Sequence, residues 1–198
     1  MATDHRMIVG AVMGAAFVVA VAVAAAAPVA AEEQGFTPVP VIKGIKQLES
    51  GKPAPDFTVK DTAGTVFDFG VEKTKRAHVL VFWSIFCEPC REEMPVVEKL
   101  ANEYKPAGNV EVLTVNMDGA PFLDGIKGFI KQYKYSFRIL LDELDAKGEN
   151  FAIADPYQIA GTPALILVDA EGRIAQSHVG RISEGDLRAM ITAMLGAK

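Results

Sequence analysis

Residues 79–90 read Val-Leu-Val-Phe-Trp-Ser-Ile-Phe-Cys-Glu-Pro-Cys, and the fold is decided there. Val79 to Trp83 is an unbroken apolar run rich in β-formers, which predicts a strand covered on both faces. Beyond it, Met94, Val97, Leu100, Ala101 and Tyr104 recur at helical spacing. They predict a helix from about Cys87 to Tyr104, bent at Pro95. Cys87, Glu88, Pro89 and Cys90 therefore stand where a buried strand gives way to a helix. A thiolate at a helix N-terminus meets unpaired N–H groups and the positive end of the macrodipole, which makes Cys87 the better nucleophile. Cys90, one turn further on, is spaced to close a Cys87–Cys90 disulfide and resolve a mixed disulfide from within the same molecule.

Working outward, Val110, Val112, Leu113 and Val115 predict a second strand, and Phe122, Ile126, Phe129, Ile130 and Tyr133 one face of a second helix. Ala164 to Val168 is another buried-strand run. Asp169 to Gly172 predicts a turn into Ile174 to Val179, giving an antiparallel hairpin. Ser183 with Asp186 resembles a capping box, and it opens a helix carrying Leu187, Met190, Ile191, Met194 and Leu195. Val66 to Phe69, after Ala63-Gly64, is one arm of an N-terminal hairpin. The order strand, helix, strand, helix, strand, strand, helix demands an α/β protein with a mixed sheet and helices on both faces.

Ile8 to Ala31 carry no charge, follow Arg6, and end in Val29-Ala30-Ala31 before Glu32 and Glu33. This is the pattern of an export signal. Two outcomes stand: cleavage after the small residues, or retention as an anchor, since the segment can span the bilayer core of about 30 Å. Either way Arg6 stays inside and the domain lies outside the cytoplasm. Residues 1–31 are thus expected to be a signal peptide or anchor, 32–50 a spacer holding Pro38 and Pro40, and 51–198 the folded domain. The 198-residue chain has a net charge of -5, with no clustered basic residues to favour a nucleic-acid partner.

The chain has only two cysteines. Their pairing closes so short a loop that stability is a poor reason for it. A zinc site needs two further ligands. His5 lies in the leader, and His78 and His178 are isolated, so both of the latter are expected to be surface or partly buried. Covalent haem attachment needs His after Cys90, where Arg91 stands. No metal and no cofactor are expected.

The segment Phe82 to Pro95, F-W-S-I-F-C-E-P-C-R-E-E-M-P, resembles the active site of the TlpA/ResA-like thioredoxin family, extracytoplasmic reductases that include cytochrome c maturation proteins. The resemblance runs from about Gly51 to the C-terminus and implies a thioredoxin-like fold. It implies a cis Pro163 facing the dithiol, with Thr162 offering backbone groups to an extended substrate and Phe86 and Trp83 as further substrate contacts. A plain strand-start proline is the competing reading of Pro163. Phe86 departs from the Trp often found before the first cysteine, keeping the apolar wall without the indole N–H. Glu93 lies on the side of the helix that holds Cys90, and the resemblance makes this acidic position functional. Its expected role is to raise thiol pKa values and relay a proton at Cys90, with Glu88 adding repulsion. The competing reading is an ordinary helix-start carboxylate, which is the one adopted for Glu92.

The implied partners are a protein disulfide, such as that of an apocytochrome c, and a membrane thiol-transfer donor. Two rival readings compete with this one. Pro55-Asp56-Phe57 also suits a peroxiredoxin, whose pattern of proline, three residues, Thr or Ser, two residues and cysteine is met at Ser84 but fails at Leu80, where the proline should stand. A Cu(I)-delivery module uses a wider cysteine spacing.

Overall fold

The computed structural model describes residues 48–145 and 147–196. The expected leader, residues 1–31, and most of the expected spacer, residues 32–50, lie outside that range. Seven strands and four α-helices follow in order: β1 (Thr58–Lys60), β2 (Val66–Asp68), α1 (Phe69–Glu72), β3 (Ala77–Trp83), α2 (Glu88–Tyr104), β4 (Val110–Asn116), α3 (Leu123–Tyr133), β5 (Arg138–Leu141), β6 (Ala164–Val168), β7 (Ile174–Val179) and α4 (Glu184–Gly196). A five-stranded sheet runs β5-β4-β3-β6-β7, and β1 pairs with β2 in a separate antiparallel hairpin. Strands β3, β4 and β5 are parallel, while β6 and β7 run against their neighbours, so the sheet is mixed. This is the expected thioredoxin-like fold, N-terminal hairpin included.

The centre is β3, buried at every residue. Its alternation supplies both cores. Ala77, Val79, Val81 and Trp83 face α2, α3 and α4 in one cluster. Leu80 and Phe82 face the other, with Phe57, Phe67 and Phe69 from the hairpin and α1 and with Ile153 and Tyr157 from the long connection after β5. Helices thus lie on both faces, unevenly. Right-handed crossovers explain this: β3-α2-β4 and β4-α3-β5 step the same way across the sheet, which puts both helices on one side. The hairpin and the 151–159 segment cover the side left bare. That segment is pinned by Asp142, whose buried carboxylate accepts the N–H groups of Ile153 and Ala154 at 2.9 and 2.8 Å.

Several expectations need correction. The edge strand β5 was not foreseen, because only the four residues Arg138–Leu141 form it and the first is exposed. Phe122 does not face the core: it closes a single 3-10 turn (Ala120–Phe122) ahead of α3 and is exposed. Tyr133, at the far end of α3, is also exposed, which leaves Ile126 as the one fully buried residue of that helix. His78, expected to be surface or partly buried, is entirely buried, edge-on to Phe69. Burial pushes its pKa down to about 4, so the ring is neutral. The Ser183–Asp186 pair does cap α4, though with a variation. Ser183 Oγ accepts the Asp186 N–H at 3.1 Å, and the Asp186 carboxylate takes the Ser183 hydroxyl rather than its N–H.

Candidate functional site

The loops at one end of the sheet converge on the cysteines. Strands β3 and β4 finish there, β6 begins there, and β7 ends there. Cys87 is the N-cap of α2, with extended backbone at φ -83° and ψ 103°. Its Sγ accepts the Cys90 N–H at 3.2 Å, one of the donors that a helix start leaves unpaired. Pro89, inside the first turn, has no N–H to leave unsatisfied. The local sequence therefore begins the helix and aims its free donors at the first sulfur. Cys87 and Cys90 are joined in a disulfide of 2.02 Å, with Cα atoms 5.2 Å apart.

The two sulfurs are unequally placed: Cys87 is half-buried and Cys90 fully buried. An incoming disulfide has a path to the first and none to the second. Glu88 is exposed on the first turn. Glu93 lies one turn below Cys90 on the same buried face, only 5% exposed. One of its oxygens accepts the Ile182 N–H at 3.2 Å, and the other is buried without a partner. Burial pushes its pKa up to about 7, offset in part by that N–H and by Arg181. A carboxyl half-ionised near neutral pH can both give and take a proton. Glu92 points outward instead and pairs with Arg181 at 2.7 Å, an exposed bridge of the ordinary kind.

The Thr162–Pro163 bond is cis. Pro163 precedes β6, whose Ala164 is paired with Phe82, so the Thr162–Pro163 loop lies beside the exit of β3 toward Cys87. Pro163 is buried and its carbonyl accepts the Gly180 N–H at 2.8 Å; Thr162 is half-buried. Phe86 is 69% exposed and meets Phe122 edge to face at 5.2 Å. Together they make an apolar edge next to Cys87. Periodicity had put Phe122 in the core, so this half of the edge was missed. Trp83 is wholly enclosed, packed on Phe129 with its indole N–H unpaired, and reaches no surface that a substrate meets in this structure. Ser84, which meets the Thr or Ser position of the peroxiredoxin pattern, carries a hydroxyl bonded to Asp118. His178 is half-buried, with Nε2 3.1 Å from the Arg181 carbonyl. A cavity of about 310 Å³ lined by Arg76, Lys105 and Arg138 lies at the opposite end of the parallel strands and has no part in this arrangement.

The Redoxin family model matches residues 49–193. The thiol-disulfide oxidoreductase ResA of Halalkalibacterium halodurans is 36% identical over 135 residues, covering 68% of this chain and 71% of that protein. The thioredoxin-like protein YneN of Bacillus subtilis is 34% identical over 141 residues, covering 71% and 77%. Among solved structures, a putative thiol:disulfide interchange protein DsbE from Chlorobium tepidum superposes with a TM-score of 0.64 at 30% identity, covering 76% of this chain and all of that one.

Proposed function

Since the chain belongs to the Redoxin family and is a thiol-disulfide oxidoreductase, we propose that it works outside the cytoplasm as a reductant of protein disulfides. The observation that carries the reading is the pairing of a half-buried N-cap sulfur with a buried sulfur above a buried carboxyl. In the dithiol form the Cys87 thiolate attacks a substrate disulfide. One substrate sulfur leaves as thiolate, the other stays bonded to Cys87. Cys90 then attacks Cys87 Sγ, releasing the second substrate thiol and closing the disulfide seen here. Glu93 takes the proton of Cys90 as it attacks and returns it when the pair is reduced. Phe86 gives the substrate chain an apolar wall, and Thr162 and Pro163 present backbone to it.

The direction follows from charge. Glu88 and Glu93 oppose the helix dipole, so the Cys87 thiolate gains less from its N-cap position than it would beside neutral residues. A less stable thiolate favours the disulfide, and the dithiol is then the electron-giving form. Equilibration with glutathione buffers is expected to return a potential more reducing than about -180 mV, the range of a disulfide isomerase. A value near about -120 mV, that of a strong periplasmic oxidant, overturns the assignment.

Location rests on the uncharged segment Ile8–Ala31 and its acidic flank. A reporter active only outside the cytoplasm, fused after Phe69, is expected to be active. Activity at that junction from a reporter that works only inside the cell would sink the proposal. The resemblance of Phe82–Pro95 to cytochrome c maturation reductases supports an apocytochrome c disulfide as substrate and a membrane thiol-transfer protein as electron donor.

A further inference from the structure

Between the end of β3 and Cys87 the chain makes a tight turn in which the N–H groups of Ile85, Phe86 and Cys87 find partners, and those partners lead to one side chain. Ile85 N–H donates to Asp118 Oδ2 at 2.8 Å, and the Ser84 hydroxyl donates to Asp118 Oδ1 at 2.6 Å. Ser84 Oγ in turn accepts the Phe86 N–H at 3.0 Å, while the Cys87 N–H goes to the Ser84 carbonyl at 3.2 Å. Asp118 is itself held from behind. The fully buried Asn116 donates its amide to Asp118 Oδ2 at 3.0 Å and accepts the Asp118 N–H at 3.0 Å. Met117 N–H reaches the Trp83 carbonyl at 2.9 Å, so the β3–β4 ladder runs directly into this clamp. Gly119 completes the bend with φ +68°, and a Cβ there would stand 3.0 Å from the Asp142 carbonyl.

We propose that Asp118 is a positioning residue for the redox exchange, fixing the turn that presents Cys87 to Cys90 and holding the couple toward its reducing side. The inference rests on the dithiol-disulfide reading given above. Two effects carry it, and they have the same sign. A fixed turn keeps Cys87 at the helix start, within reach of Cys90, which raises the effective concentration of one sulfur at the other and favours the closed disulfide. A carboxylate one hydrogen bond from Ile85, two residues before Cys87, also disfavours the thiolate and so the reduced form. Asp118 adds here to Glu88 and Glu93 of α2, while Glu92 is paired with Arg181. A substitution that loosens the turn or removes the charge therefore makes the disulfide easier to open.

The test is the equilibrium in which the protein disulfide and two glutathione thiols exchange for the protein dithiol and one glutathione disulfide. Asp118→Asn keeps the size of the side chain and an acceptor for Ile85, but removes the charge and puts an amide where Ser84 donates. It is expected to move the equilibrium about tenfold toward the dithiol, a rise of about 30 mV. Ser84→Ala leaves the charge but removes the hydroxyl that donates to Asp118 and accepts from Phe86, so a shift of roughly threefold in the same direction is expected. Thermal melting of both oxidised variants separates this from a merely structural role, which would lower the melting temperature and leave the equilibrium in place. Shifts below twofold in both variants overturn the inference whatever the melting temperatures, and Ser84→Ala keeps it testable if Asp118→Asn does not fold. A wild-type protein that never exchanges with glutathione would instead overturn the function on which it rests.

Discussion

Cys90→Ala is expected to lose turnover while gaining covalent partners. With Cys90 gone, Cys87 still sits half-buried at the N-cap, where the free N–H groups of α2 stabilise its thiolate, and it still opens a substrate disulfide. The mixed disulfide then has no internal thiol to resolve it. An external thiol must do so at millimolar concentration, against effective molarities of roughly 10⁵ M or more for a well-placed internal group. Reductase turnover should fall by at least about 1000-fold on that ground. Adducts should appear on non-reducing gels and vanish with a reductant. Cys87→Ala should lose turnover equally but collect few adducts, because Cys90 is fully buried and a bulky disulfide cannot reach it in line. Adducts forming mainly through Cys90, or full activity in either variant, would reverse the roles assigned to the two sulfurs.

The proposed division of labour can be read from the sequence because it depends only on a strand-to-helix junction and a two-residue spacing. The rest of the site was legible in unequal measure. Glu93 could be put on the Cys90 side of the helix by counting, yet its burial depends on α4 and the loop around Ile182, which no local pattern announces. Phe122 fell in register with Ile126 and Phe129 and was read as core. A 3-10 turn begins that segment instead and rotates the ring out to Phe86. β5 escaped because Arg138 and the brevity of the strand mask its apolar side, and parallel pairing with β4 supplies what local propensity does not. The Asp118 clamp was invisible for a similar reason. Asn116-Met117-Asp118 reads as a strand end, and only the register of Trp83 against Asn116 brings it to the turn before Cys87.

Glu93→Gln is expected to change both the pH dependence of stability and the rate. The carboxyl has a pKa raised by burial to about 7 in the folded protein, against 4.5 as its ordinary value. Between those values the folded state binds the proton more tightly than the unfolded one, so the contribution is fully present below about pH 4.5 and is lost as pH rises through 7. The loss amounts to about 3 kcal/mol at most. Gln keeps an acceptor for the Ile182 N–H and never ionises. Urea melts of the oxidised variant should therefore match wild type near pH 4.5 and exceed it by one to a few kcal/mol near pH 8, on the order of the same linkage. The kinetic consequence runs the other way. Without an ionisable group one turn below Cys90, the resolving thiol loses its proton acceptor, and turnover near pH 7 should fall by roughly 100-fold, the low end for general acid–base catalysis. The deficit should shrink at higher pH, as Cys90 ionises unaided. A wild-type pH profile for stability would mean that Glu93 is not buried as described; unchanged turnover with altered stability would leave it a structural carboxyl and remove it from the proton path.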